Sequence, residues 1–265
     1  MIKSEFIKIF KSVKAKIIFL ILMLIALADT YLAIFVESKP EYIHENYGQH
    51  NPAYFSLIAG CHGYTLLTVF LYLMPIFLML IYCDRYVNER KTGVTLLYST
   101  KTSRKKYFFS KITTAFLFPF LFCGTPNLIN IIINSIFLHN GTNLGGMQRW
   151  GENEISAYFY FCIHHPYTTY FIFLFMNLLV FGLLAVMCQS LCFIFKDNRI
   201  VYVLSLTIWI GIYFSNRIFG LGYTLQPFVC LELAPVIYSF FAFLPAAFIS
   251  MIIAYFCVVK KKDEI

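Results

Sequence analysis

Asp84-Arg85-Tyr86-Val87-Asn88-Glu89-Arg90-Lys91-Thr92-Gly93 is the longest block of mixed charge in a chain that is otherwise mostly hydrocarbon. It runs on through Ser103-Arg104-Lys105-Lys106 to Lys111. Apolar segments flank it on both sides, Tyr64–Tyr82 before it and Ile112–Leu138 after it. Only 13% of the 265 residues are charged and 60% are hydrophobic, whereas soluble domains carry about a quarter charged residues. So little polar surface does not cover a water-soluble globule of this length. The expected class is an all-α membrane protein of several spans, in one domain over residues 1–265.

A spanning helix needs about 20 mostly apolar residues. Six segments qualify: Ile17–Val36, Tyr64–Tyr82, Ile112–Leu138, Tyr170–Ile194, Ile200–Phe214 and Val236–Val259. The fifth is short and is followed by Gly220, Gly222 and Pro227, the pattern of a span continuing as a broken or re-entrant segment. Cytoplasmic loops carry the excess of Lys and Arg. With both termini inside, the inner segments hold Lys3, Lys8, Lys11, Lys14 and Lys16, then the eight cations from Arg85 to Lys111. Lys196, Arg199 and Lys260 to Lys262 complete the inner set. The outer segments hold only Lys39, Arg149 and Arg217 of the 21 cations. That asymmetry predicts six spans with both ends in the cytoplasm. The net charge of +8 therefore belongs to membrane orientation, and nucleic acid is not an expected partner.

Two features of the first 36 residues need separate treatment. A lysine-rich start, an apolar run and Ala26-Leu27-Ala28 imitate a cleaved signal peptide. The apolar run continues through Tyr31–Val36, so retention as the first span is expected. Before it, Ile2, Phe6, Ile9, Phe10 and Val13 share one helical face, with Lys3, Ser4, Glu5, Lys8, Lys11 and Lys14 around the rest. This spacing predicts a helix over 2–14 lying in the inner interface.

In the charged loop, Tyr86, Val87, Val94 and Leu97 recur at roughly helical spacing among Asp84, Arg85, Arg90 and Lys91. Gly93 can end the first helical stretch. A half-apolar, half-charged helix just below the membrane suits docking into a groove on a soluble protein. An ordinary basic loop contacting lipid headgroups is the alternative.

The order of these features is familiar. A span leads into Glu89-x-x-x-Gly93, Thr95-Leu96-Leu97, Ser99-Thr100, Ser103-Arg104, an aromatic step, Lys111 and the next span. This resembles the loop between the second and third spans of type-2 ABC exporter permeases. The opening Lys3-Ser4-Glu5-Phe6 and the lysine-rich interfacial helix are similar to that family's start. Leu231-Glu232-Leu233-Ala234-Pro235 falls where the family has an outer, partly re-entrant segment. The family often has Pro after the Thr that precedes its Ser-Arg step, and Lys101 stands there instead. The resemblance implies a bacterial cell-membrane permease that pairs with a second permease, itself or a sister chain. It also implies two cytoplasmic ATPase subunits. The loop around 84–98 would be the coupling helix, with Tyr86, Glu89, Arg90, Gly93, Leu97 and Arg104 as the ATPase-coupling residues. The chain has no Gly-x-x-x-x-Gly-Lys-Ser/Thr loop to cradle phosphates, so no cofactor is expected on it and ATP would act on the partner. Peptide antibiotics, drugs and lipid-like molecules are the cargo classes the resemblance allows, antimicrobial peptide resistance among them.

Within the spans, Asp29 is the sole carboxylate, and an intramembrane acid is a functional candidate by default. Asn127, Asn130 and Asn134 follow i, i+3, i+7 spacing on one face of the third span. They could line a translocation path or gate it. Interhelical hydrogen bonding is the structural alternative for such amides. The six histidines and eight cysteines show no ligand spacing, so no metal is expected. Two other functions compete. An intramembrane enzyme needs paired Glu/His or Ser/His/Asp groups at membrane depth, and the spans hold one carboxylate and no histidine. A secondary transporter usually shows internal repeats and buried charges, and no repeat is evident.

Overall fold

A computed structural model describes residues 1–36, 51–58, 64–93, 103–139, 141, 157–218 and 234–260. Among them there is helix and no strand. The helices are α1 (Ile2–Lys11), α2 (Val13–Tyr31), α3 (Tyr64–Tyr72), α4 (Met74–Leu78), α5 (Asp84–Lys91) and α6 (Arg104–Phe122). They continue with α7 (Gly124–Phe137), α8 (Ala157–His164), α9 (Pro166–Ile194), α10 (Asn198–Ile218) and α11 (Ala234–Tyr255). Three wider turns, Leu32–Val36, Met79–Cys83 and Phe256–Lys260, extend α2, α4 and α11.

Among the described residues three helical stretches are long and apolar enough to cross a membrane: Val13–Phe35, Arg104–Phe137 and Pro166–Ile194. A fourth is added if the bent pair Leu66–Tyr72 and Met74–Lys91 is one span. Asn198–Ile212 and Phe243–Val259 are shorter apolar helices. All six apolar segments of the sequence are thus helical where described, and their ends shift for local reasons. The third begins at Arg104, well before Ile112, because the Ser103 hydroxyl accepts the Lys106 N–H at 3.4 Å and caps the helix. It is interrupted at Cys123, between Pro119 and Pro126, each of which removes a backbone donor. The second bends by 55° at Leu73, just ahead of Pro75.

The N-terminal helix is shorter than the predicted 2–14. Ser12 is extended (φ −72°, ψ 126°) and its hydroxyl accepts the Ala15 N–H at 3.5 Å, so Val13 and Lys14 belong to α2. The predicted apolar face divides, with Ile2, Phe10 and Val13 exposed. Ile9 is buried and Phe6 half-buried, but Glu5, assigned above to the polar side, is buried as well. An acid turns inward here because a cation waits for it in the bundle.

Helix α9 is the centre. It packs on α5, α6, α10 and α11, and 67% of its most apolar window is buried, against 33% for α2. Gly182 permits the close approach to α6: a Cβ there would stand 2.9 Å from the Phe116 ring and 3.0 Å from the Phe116 carbonyl oxygen. Small residues at such crossings are how membrane helices gain packing without a hydrophobic drive between them. The outward faces of α2 and α7 carry Ile17, Leu20, Leu24, Ile132 and Ile136 exposed, the surface that acyl chains cover in a bilayer.

Candidate functional site

The charged block does not form a helix of its own. Met74–Lys91 is one continuous stretch, so α5 is the charged end of the second apolar helix. It stops where Thr92 caps it and Gly93 takes φ +72°. That left-handed conformation is open to glycine and strained for most side chains.

Helical spacing then sorts the residues of α5. Tyr86 and Val87 are buried, with the Tyr86 ring 4.4 Å from that of Phe193 on α9 and 6.4 Å from that of Tyr107 on α6. Glu89, one turn on, is buried too, whereas Asn88 and Lys91 are exposed and Arg90 is half-buried. Arg104 is half-buried at the first position of α6. Leu97 lies outside the described residues. Of the six coupling residues, Tyr86 and Glu89 therefore face the bundle.

Glu89 meets Lys111, which is only 1% exposed. The Lys111 Nζ donates to Glu89 Oε2 at 2.9 Å and to Glu5 Oε2 at 2.7 Å. Tyr107 donates to Glu89 at 3.3 Å and Tyr82 to Glu5 at 3.2 Å. Both rings also lie beside the ammonium, 5.7 and 5.4 Å from ring centre to nitrogen. Lys8 bonds Glu5 Oε1 at 2.6 Å and stands 3.6 Å from Glu89 Oε1. Arg85 donates from Nε to Glu89 Oε1 at 3.2 Å and from Nη1 to the Lys8 carbonyl at 3.1 Å. Two carboxylates are thus shared among three cations across α1, α5 and α6. Burial raises the Glu5 proton affinity, but the Lys111 charge and hydrogen bonds from Lys111 and Lys8 outweigh it and hold the carboxyl below its ordinary value. A second tie, Lys14 to Asp84 at 2.9 Å, fastens α2 to the start of α5.

The sequence marked Lys111 as sitting at the mouth of a span but not what satisfies it there. Its partner Glu5 went unselected. The signal available was a lone acid among lysines opposite a lysine inside a long helix: an intramembrane cation requires an anion.

The intramembrane candidates Asp29, Asn127, Asn130 and Asn134 gather around α7. The Asn130 amide donates to Asp29 at 2.9 Å, to the Thr30 hydroxyl at 2.9 Å and to the Ala26 carbonyl at 3.0 Å. Its carbonyl accepts the Leu57 N–H at 3.1 Å. Asn134 donates to the Phe55 carbonyl at 2.9 Å, and Asn127 to Cys123 on its own helix at 2.8 Å. All four side chains are buried. Asn130 and Asn134 pin residues 51–58 against α7, while Asn127 stays on its own helix. The Oδ1 atoms of Asn127 and Asn134 have no partner among the described residues. Gln189 on α9, the one glutamine inside an apolar segment, has neither amide atom paired there; it was missed by the sequence reading.

Among the described residues no three His, Cys, Asp or Glu groups converge as a metal site. Among the described residues no disulfide joins two cysteines. His44, His50, His62, Cys61 and Cys230 lie outside the described residues, as do Gly220, Gly222 and Pro227.

The chain is similar to the uncharacterized protein YybM of Bacillus subtilis (strain 168), 27% identical over 227 residues that cover 85% of each chain. No family model matches it, and no solved structure does.

Proposed function

We propose that the chain is the membrane-spanning subunit of an ATP-driven exporter of the type-2 ABC kind, with six spans and both termini in the cytoplasm of a bacterial cell. In this reading it pairs with a second permease chain and moves a peptide, drug or lipid-like cargo outward. ATP is hydrolysed by a separate cytoplasmic subunit, consistent with the missing phosphate-binding loop.

The observation that carries the reading is the ion-pair network. It lies where the resemblance puts the coupling helix, and it gives α5 a stiff mechanical connection. A push on α5 passes through Glu89 and Lys111 into α6, and through Arg85 and Lys8 into α1. Bonds of this kind are short and resist separation, because parting them strands charge in a low-dielectric interior. The third apolar segment and the N-terminal helix then move as one body with α5. Glu89 acts in this scheme as a transmitter, and the exposed Asn88 and Lys91 are the contacts an ATPase would meet.

The test uses Lys91→Glu, since reversal at Glu89 would also dismantle the network. Tagged chain is purified from its native membranes with mild detergent. An ABC ATPase is expected to co-purify in stoichiometric amount with MgATP hydrolysis, and Lys91→Glu is expected to lose it while the chain itself is recovered in full. Intact chain that never brings an ATPase with it overturns the reading.

A further inference from the structure

The elbow between α1 and α2 borders an open cleft of about 350 Å³, bounded on its other side by the charged end of the second apolar helix. Lys8 and Lys11 reach it from α1, Lys14 from the first turn of α2 and Arg85 from α5. Leu80 and Ile81 line its apolar part, at the point where hydrocarbon sequence gives way to charge. Asp84 is the one carboxylate on the described lining, and Lys14 already engages it.

The charges around the cleft do not balance. Lys8, Lys11, Lys14, Arg85 and the deeper Lys111 face Glu5, Asp84 and Glu89. Each glutamate is shared between the buried Lys111 and a cation of the lining, Glu5 with Lys8 and Glu89 with Arg85, and Lys11 has no carboxylate partner among the described residues. Among the described residues, five cations against three carboxylates leave an excess of two positive charges at the cleft. The Ser12 cap on its lining adds the positive end of α2, a 19-residue helix whose first N–H groups lack intrahelical acceptors. The volume falls within the range of small-ligand pockets.

We propose that this cleft binds the phosphate of an anionic phospholipid. Lys11, Lys14 and Arg85 hold the phosphodiester, and the glycerol and upper acyl carbons lie on Leu80 and Ile81. A lipid fits better than a soluble phosphate because the cationic wall runs directly into apolar lining. The same elbow also exposes Phe10 at 54% and Val13 at 69%, side chains that need hydrocarbon beside them. A lipid seated here would fill the space between α1 and α5 and hold the elbow closed.

Native mass spectrometry of the full chain tests this with phosphatidylglycerol and phosphatidylcholine offered in equal amounts. The wild-type chain is expected to retain one phosphatidylglycerol in preference. Lys11→Gln, which breaks no ion pair, is expected to weaken that retention about fivefold, the equivalent of about 1 kcal/mol for one surface cation. Lys105→Gln, the same charge loss outside the cleft, is expected to leave it unchanged. Equal retention of the two lipids, or no change with Lys11→Gln, overturns the proposal. So does an equal loss in both variants, which would mean general surface charge. Full displacement by soluble glycerol phosphate overturns the choice of a lipid as the occupant.

Discussion

Lys111 is the residue on which the charged end of the molecule turns. Its ammonium is buried with two carboxylates, so its removal strands negative charge where water does not reach. Replacing one member of such a set costs about 3–5 kcal/mol, mostly from the partner left behind. Lys111→Met keeps the length and apolar body of the side chain and removes only the charge. A marked fall in thermal midpoint in detergent is the expected outcome. Glu5→Gln combined with Lys111→Met should recover part of that fall, because Glu89 still has Arg85 at 3.2 Å while the stranded acid on α1 is neutralised. A double variant no better than the single one would mean that Lys111 acts through packing and not through charge.

At the scale of elements, the crossing of α9 over α6 is set by the missing side chain at Gly182. The Phe116 ring could turn away from an added methyl, but the Phe116 carbonyl at 3.0 Å belongs to the α6 backbone and cannot. Overpacking of this kind costs about 1–3 kcal/mol. Gly211 on α10 is the natural control, since a Cβ there meets nothing within 4 Å and Ala is favoured over Gly in a helix by about 0.5–1 kcal/mol. Thermal unfolding of Gly182→Ala and Gly211→Ala should therefore shift in opposite directions; a common direction would contradict the close crossing. The helices themselves were legible in the sequence, since runs such as Tyr170–Ile194 carry enough hydrocarbon to identify them without any knowledge of their neighbours. Their ends were less so, because Ser103 and Ser12 act through single hydrogen bonds that periodicity does not register. The ion-pair network was legible in half: the charge pattern marked Lys111 at the mouth of a span and the resemblance marked Glu89, but pairing either with Glu5 requires knowing that α1 folds back against α6, a contact between residues 106 apart in the chain. The amides of α7 show the same limit, for their spacing gave a shared face and only the folded chain gave Asp29 and residues 51–58 as what that face meets.

At the scale of the whole molecule, the arrangement ties charge to one end of the bundle. Glu5, Lys8, Lys14, Asp84, Arg85, Glu89 and Lys111 meet at the end where α1, the tail of the second apolar helix and the head of α6 converge. The Asp29 and Asn130 pair lies toward the other end of α2 and in the middle of α7, about four helical turns from Lys14 along α2 and about five from Lys111 along α6 and α7. Positive charge is retained on the cytoplasmic side, so the network end should be inner and the Asp29 end outer. Reporter fusions read this directly. Green fluorescent protein after Ile265 should fluoresce, which requires the cytoplasm, and alkaline phosphatase inserted at Trp150 should be active, which requires the exterior. The reverse pair of results would invert the bundle and put the ion-pair network, with the exposed Lys91 beside it, beyond the reach of any cytoplasmic ATPase. Activity of the same reporter at both sites would instead mean an even number of crossings between Trp150 and Ile265. One of the Asn198–Ile212 and Phe243–Val259 helices, the two shortest apolar stretches, would then enter the bilayer without crossing it.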